Sequence, residues 1–165
     1  MKILIVEDDE NKRSQLNNFI RQNHSHLEVV NTYSIQKGLD VVFDEKIDLI
    51  ILDMTLPTYD VTPDEPGGGT NIFGGCDFLS QLDRFDIKTP AIVVTQFEIF
   101  GSGPKTMTLE GLRSLLEREY SENCRGLIYY NASSETWMGE LDHHLQSTNI
   151  KDVGATHDGK DIISR

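Results

Sequence analysis

Short apolar runs alternate with longer mixed segments along the chain. Residues 3–6, 27–30, 49–52, 91–94 and 127–130 are rich in Ile, Val, Leu and Tyr and short enough to be strands. Between and after them apolar residues recur at helical spacing. Leu16, Phe19 and Ile20 make one stripe; Ile35, Leu39, Val42 and Phe43 a second; Phe78, Leu79 and Leu82 a third. Leu109, Leu112, Leu115 and Leu116 make the fourth, Trp137, Met138, Leu141 and Leu145 the fifth. Thr108 is placed to cap the fourth helix, and Ser133 or Ser134 the fifth. Strands apolar throughout, rather than alternating, are buried on both faces. Five βα units in succession therefore predict an α/β fold: a doubly wound five-stranded parallel sheet with right-handed crossovers and helices on both faces. Residues 1–145 form this one domain, and residues 146–165, polar with little apolar content, read as a mobile tail.

Two connections break the rhythm. Residues 58–74 (TYDVTPDEPGGGTNIFG) and 97–107 are longer than the roughly 2–6 residues a strand-to-helix turn needs. Both follow a strand's carboxyl end, so both rise from one edge of the sheet, where a lid or partner surface is expected. On that edge the third strand ends in ILDMTLP, with Asp53 directly after the buried run Leu49–Leu52. In a sheet of order 2-1-3-4-5 the topological switch point lies between strands one and three, and ligands bind outside their carboxyl ends. Those ends carry Glu7, Asp8 and Asp53. Close carboxylates repel by about 4 kcal/mol per pair at an effective dielectric near 20, and a divalent cation relieves this. Hard oxygen donors with room for water and phosphate suit Mg²⁺. A plain acidic, solvated sheet edge is the alternative on spacing alone.

Charge and cysteine content narrow the partners. Fifteen basic against 27 acidic residues, net charge −12, disfavour direct contact with nucleic acid or anionic membranes. The amino terminus is too short in apolar run for a signal sequence and no later run would span a bilayer, so a cytoplasmic protein is expected. Cys76 and Cys124, far apart, read as two thiols.

ILIVEDD at the amino terminus, ILDMTLP at the third strand and VVT at the fourth together resemble the receiver domain of bacterial two-component response regulators, over about residues 1–145. The resemblance implies a flavodoxin-like receiver fold. It assigns Asp53 as phosphoacceptor, Asp8 as direct Mg²⁺ ligand, Glu7 as outer-shell acid and Asp9 as a helix-capping neighbour. Thr55 would lend its backbone carbonyl to the metal, and Thr95 its hydroxyl to the phosphoryl group. The implied partners are a sensor histidine kinase or phosphotransfer protein, and a downstream protein reached through residues 58–74 and 97–107.

The chain also departs from that family. Aligning Trp137 and Leu141 with the family's last helix puts Tyr130 where receivers end the fifth strand with a phosphoryl-pairing lysine, and Asn131 where a proline follows. Leu127 stands at the aromatic switch position and Gln96 at a usually small one. Tyr130 supplies no charge, so a substitute cation is needed, and Lys105 in the second long connection is the candidate considered. Other motifs carry less. GSGPKT lacks both glycines of a phosphate loop, with Ile99 and Pro104 in their places. GGGTNIFGG is not a dinucleotide fingerprint. Adjacent His143 and His144 point about 100° apart on a helix, and His24 and His26 fall in a surface turn. The favoured reading is a stand-alone Mg²⁺-dependent phosphoacceptor acting through protein contacts. The alternatives are a phosphorylation-independent adaptor and, less favoured, an aspartate-based phosphatase, for which Thr55 offers no general acid.

Overall fold

The computed structural model describes residues 1–65 and 69–160, with side chains through Thr148. Five parallel strands, β1 (Lys2–Val6), β2 (Glu28–Thr32), β3 (Leu49–Leu52), β4 (Ala91–Thr95) and β5 (Cys124–Tyr129), lie in the order β2-β1-β3-β4-β5. The predicted doubly wound sheet is therefore the one formed. Its helices are α1 (Glu10–Asn23), α2 (Ile35–Asp44), α3 (Gly74–Arg84), α4 (Leu109–Glu119) and α5 (Thr136–Lys160).

Side chains leave a strand alternately, so the continuous apolar runs feed two cores. Leu4, Val6, Ile50, Leu52 and Val93 meet α2, α3 and α4 through Leu39, Phe78, Leu82 and Leu112. Ile3, Ile5, Leu49, Ile51, Ile92 and Val94 meet α1 and α5 through Leu16, Phe19, Trp137, Leu141 and Leu145. Trp137 is fully buried with its ring edge-on to Phe19, which fixes α5 against α1. His24, expected in a surface turn, is buried instead: its Nε2 lies 2.6 Å from Asp142 Oδ1, tying the end of α1 to α5.

Local chemistry sets the helix starts. Asp9 Oδ1 accepts from the Lys12 amide at 3.0 Å, Ser34 Oγ from the Lys37 amide and Thr108 Oγ1 from the Gly111 amide, each satisfying an amide that the helix leaves free. Ser134 Oγ accepts from the Thr136 amide at the head of α5.

Several expectations shift. β2 begins one residue later than the apolar run and extends to Thr32, and β5 begins at Cys124 because backbone pairing with β4 continues beyond the apolar positions. Phe43 is 47% exposed and packs edge-on against Phe85 rather than entering the core. Residues 146–160, expected as tail, continue α5. No proline interrupts that run, and extending a helix already nucleated by packed turns costs little. Residues 161–165 lie outside the described residues.

The two long connections are zipped at their bases. Leu56–Pro57 pairs antiparallel with Thr70–Asn71, and Ile99–Phe100 with Met107–Thr108. The first is also pinned to α2, through the Gln36 amide on the Thr58 carbonyl and Ser34 Oγ donating to Asp60 at 2.6 Å. Phe73 of the first and Phe100 of the second stack at 5.9 Å, joining the two excursions. Gly67 and Gly68 of the glycine run lie outside the described residues. Cys76 and Cys124 are free thiols, as expected.

Candidate functional site

Parallel pairing in register brings Val6 beside Leu52, so the residues that follow them, Glu7 and Asp53, emerge together at the switch point. The Asp53 amide donates to the Val6 carbonyl at 3.0 Å, extending the ladder and fixing where the carboxylate stands. Glu7, Asp8 and Asp53 each offer a carboxylate oxygen within 4.8 Å of the others, the one such grouping among the described residues. Glu7 and Asp53 are buried and Asp8 is exposed.

A residue that the sequence reading passed over sits among them. Lys12, on the first turns of α1, is 1% exposed, and its ammonium lies 2.6 Å from Glu7 Oε1, 3.0 Å from Asp53 Oδ1 and 2.5 Å from the Val94 carbonyl. Asp53 Oδ1 also accepts from the Met54 amide at 2.8 Å. That oxygen is thus held by two donors, leaving Oδ2 as the available one. Glu7 Oε2 accepts from the Asp9 amide, while Oε1 touches the ammonium without the alignment of a hydrogen bond and keeps acceptor capacity.

Electrostatics follow from that geometry. Burial pushes Glu7 up to about 8, with the Asp53 charge adding to it and Lys12 opposing. Asp8 is raised by partial burial and then by Asp53. Burial works against the Lys12 ammonium, yet the charges of Asp53 and Glu7 outweigh it and raise its pKa, so it stays protonated. Asp9 is lowered, chiefly by the amide of Lys12 that it caps.

The other expected residues are placed as follows. Thr95 ends β4 fully buried, and its Oγ1 accepts from the Phe97 amide at 3.2 Å, leaving the hydroxyl proton to be donated. Thr55, two residues after Asp53, donates its hydroxyl to the Ile72 carbonyl, at the base of the first excursion. Gln96 reaches across to Asp9 Oδ2 at 3.4 Å. Tyr130 continues the β5 ladder, its amide donating to the Thr95 carbonyl at 2.7 Å. Its ring is buried against Trp137 with its centroid 5.9 Å from the Lys12 ammonium, and its hydroxyl has no hydrogen-bond partner among the described residues. Lys105, the cation considered from sequence, is exposed in the short 3₁₀ turn Gly103–Lys105 and makes no side-chain ion pair or hydrogen bond among the described residues. The sequence did hold the signal for Lys12. It falls four residues before Leu16 and seven before Phe19, on the buried stripe of α1.

The donor set fits Mg²⁺. It consists of oxygens alone, Asp8 faces solvent and leaves room for water, and Glu7 Oε1 is a buried acceptor lacking a hydrogen bond among the described residues.

Comparison with known proteins gives the family and the fold. The response regulator receiver domain family matches residues 3–112, ending before Tyr130. The chain is 36% identical over 141 residues to uncharacterized protein y4jR of Sinorhizobium fredii, covering 83% of this chain and 91% of that protein. It is 31% identical over 143 residues to the Detocs response regulatory protein DtcB of Enterobacter cloacae, covering 86% and 95%. Among solved structures, the receiver domain of the Francisella response regulator 1452 superposes with a TM-score of 0.62 at 14% identity, covering 92% and 98%. The chain belongs to the response regulator receiver domain family.

Proposed function

We propose that this chain is a Mg²⁺-dependent phosphoacceptor that signals through protein contacts, with Asp53 as the modified residue. One observation carries the reading: a buried aspartate at the switch point, its Oδ1 tied down by two donors, its Oδ2 left available and its carboxylate within 4.8 Å of that of Asp8. Oδ2 attacks the phosphorus of a phosphohistidine on a sensor kinase or phosphotransfer protein. The new O–P bond forms as the P–N bond breaks, and the departing imidazole keeps the electron pair and takes up a proton. Thr95 donates its free hydroxyl proton to a phosphoryl oxygen. Asp8 and Asp53, with the Thr55 carbonyl and with Glu7 as an outer-shell acid, would hold Mg²⁺, which would supply charge neutralisation for the oxygens in transfer. The product is an acyl phosphate, and apart from this self-catalysed transfer and its hydrolysis the chain acts as a signalling module rather than an enzyme.

Downstream contacts are assigned to residues 58–74 and 97–107. Tyr59, Val61, Ile72, Phe97 and Ile99 stand exposed on these two excursions, beside the acceptor edge. The same apolar surface favours the second reading, a phosphorylation-independent adaptor. Incubation with a small phosphodonor and Mg²⁺, followed by intact mass, separates the two. The first requires one phosphoryl group on the wild type and none on Asp53→Asn; an unmodified, folded wild type leaves the adaptor.

A further inference from the structure

The end of β5 carries an aromatic wall where a charge is needed, and the described residues bury no Lys or Arg other than Lys12. We propose that Lys12, reaching in from α1, is the cation that anchors the phosphoryl group on Asp53. This inference rests on the phosphoacceptor reading above.

Three observations converge on it. The ammonium contacts Asp53 at Oδ1, the oxygen already held by the Met54 amide, so it sits beside the attacking oxygen without covering it. When Oδ2 takes the phosphoryl group, Asp53 loses its carboxylate charge and about two negative charges appear on the phosphoryl oxygens, across the carboxyl group from the Oδ1 contact. An ammonium on a flexible four-carbon stem follows that displaced charge by rotating its last torsions, keeping Glu7 as its second partner. The third observation is the Tyr130 ring, centred 5.9 Å from the ammonium and packed on Trp137 at 5.2 Å. It fills the volume that a β5 cation would occupy and presents a face to the ammonium, which suits one positive charge there and disfavours two.

The charge count separates this role from that of a structural counter-ion. Lys12 and Mg²⁺ share Asp53, so each weakens the other's hold on it. Removing Lys12 should therefore tighten Mg²⁺ binding while slowing phosphoryl transfer, whereas local misfolding would weaken both.

The test compares wild type, Lys12→Met, Tyr130→Lys and the double variant Lys12→Met/Tyr130→Lys for phosphodonor-dependent modification of Asp53 by intact mass. Mg²⁺ titrations are followed in parallel through Trp137 fluorescence or amide NMR shifts. Lys12→Met should slow modification about a hundredfold, the scale for loss of a preorganised donor to developing charge. Tyr130→Lys alone should slow it too, by crowding two ammonium groups together. The double variant should recover at least about a tenth of the wild-type rate. If Lys12→Met does not fold, the charge-balanced pair Lys12→Met/Glu7→Gln, measured against Glu7→Gln, reads the same hundredfold. A folded Lys12 variant modified at the wild-type rate overturns the inference and leaves the phosphoacceptor reading standing. A wild type that is never modified overturns both.

Discussion

Breaking the Lys12 cluster one charge at a time should give asymmetric stability changes. At an effective dielectric near 20, the ammonium is attracted by about 5.5 kcal/mol to Asp53 at 3.0 Å and, where Glu7 is ionised, by about 6 kcal/mol to Glu7 at 2.6 Å. Taking each ion out of water costs several kcal/mol, so the net worth is far smaller than these attractions. Lys12→Met removes the attraction and leaves the Asp53 charge buried without its counter-ion, beside Glu7. It should destabilise the metal-free protein by about 3–5 kcal/mol, the range for breaking a buried pair. Glu7→Gln instead relieves the Glu7–Asp53 and Glu7–Asp8 repulsions and leaves Lys12 paired with Asp53. The burial that raises Glu7 to about 8 also shows its charged form to be costly, so this change should stay within about 1.5 kcal/mol of wild type. In the double variant the two effects should couple by about 2–3 kcal/mol, towards stability. Urea denaturation of the four proteins in chelator measures all of this. A Lys12→Met loss under about 1 kcal/mol would refute the reasoning, because the ammonium would then not be the counter-charge of the site.

Gly75 is held against the acceptor loop. A Cβ there would lie 2.7 Å from the Asp53 carbonyl and 3.0 Å from Met54 Cα, so Gly75→Ala should cost about 1–3 kcal/mol and shift the amide signals of residues 53–55 in NMR spectra; unchanged spectra and stability would contradict the packing. Burial pushes the Cys76 thiol up to about 11, which leaves about one thiolate in a thousand at pH 8. Iodoacetamide should therefore label Cys76 far more slowly in the native than in the denatured protein, and fast native labelling would count against its burial. His144 is lowered, by burial first and His143 second. Its contribution to stability is present above about pH 6.5 and is lost as pH falls through the lowered value. His144→Gln should flatten the acid limb of a stability–pH profile, and an unaltered limb would show that His144 does not titrate on unfolding.

The sheet order was legible because Ile3–Val6, Leu49–Leu52 and Ala91–Val94 are unbroken apolar runs, leaving β1, β3 and β4 nowhere but the centre. Asp53 was legible for the same reason, as a charge directly after such a run. The cap at Thr108 followed from a short polar side chain before apolar helical spacing, and that at Asp9 from the family resemblance. Lys12 was not read, because in the stretch ENKRSQL it looks like one more solvated helical cation, and only its register with Leu16 and Phe19 marks it as inward-facing. The paired bases of the two excursions escaped for want of length: two residues a side give no alternation to detect. The extension of α5 escaped because residues 146–160 carry no apolar periodicity, and Phe43 was misplaced because an aromatic on a helical stripe can cover the rim of a core as well as fill it.

The placement of Lys12 divides the chain into two kinds of sequence constraint. Glu7, Asp8, Lys12 and Asp53 all lie in the first 53 residues, while the part after β4 contributes Tyr130 and Trp137, whose role at the site is volume. Saturation mutagenesis should therefore yield two unlike tolerance maps. Positions 8, 12 and 53 should reject changes of charge at constant size, whereas 130, 137, 141 and 145 should accept one large apolar side chain for another and reject small ones. A lineage carrying this arrangement is free to let the end of its fifth strand drift among aromatics, which in a protein anchored by a lysine there would be lethal to the switch.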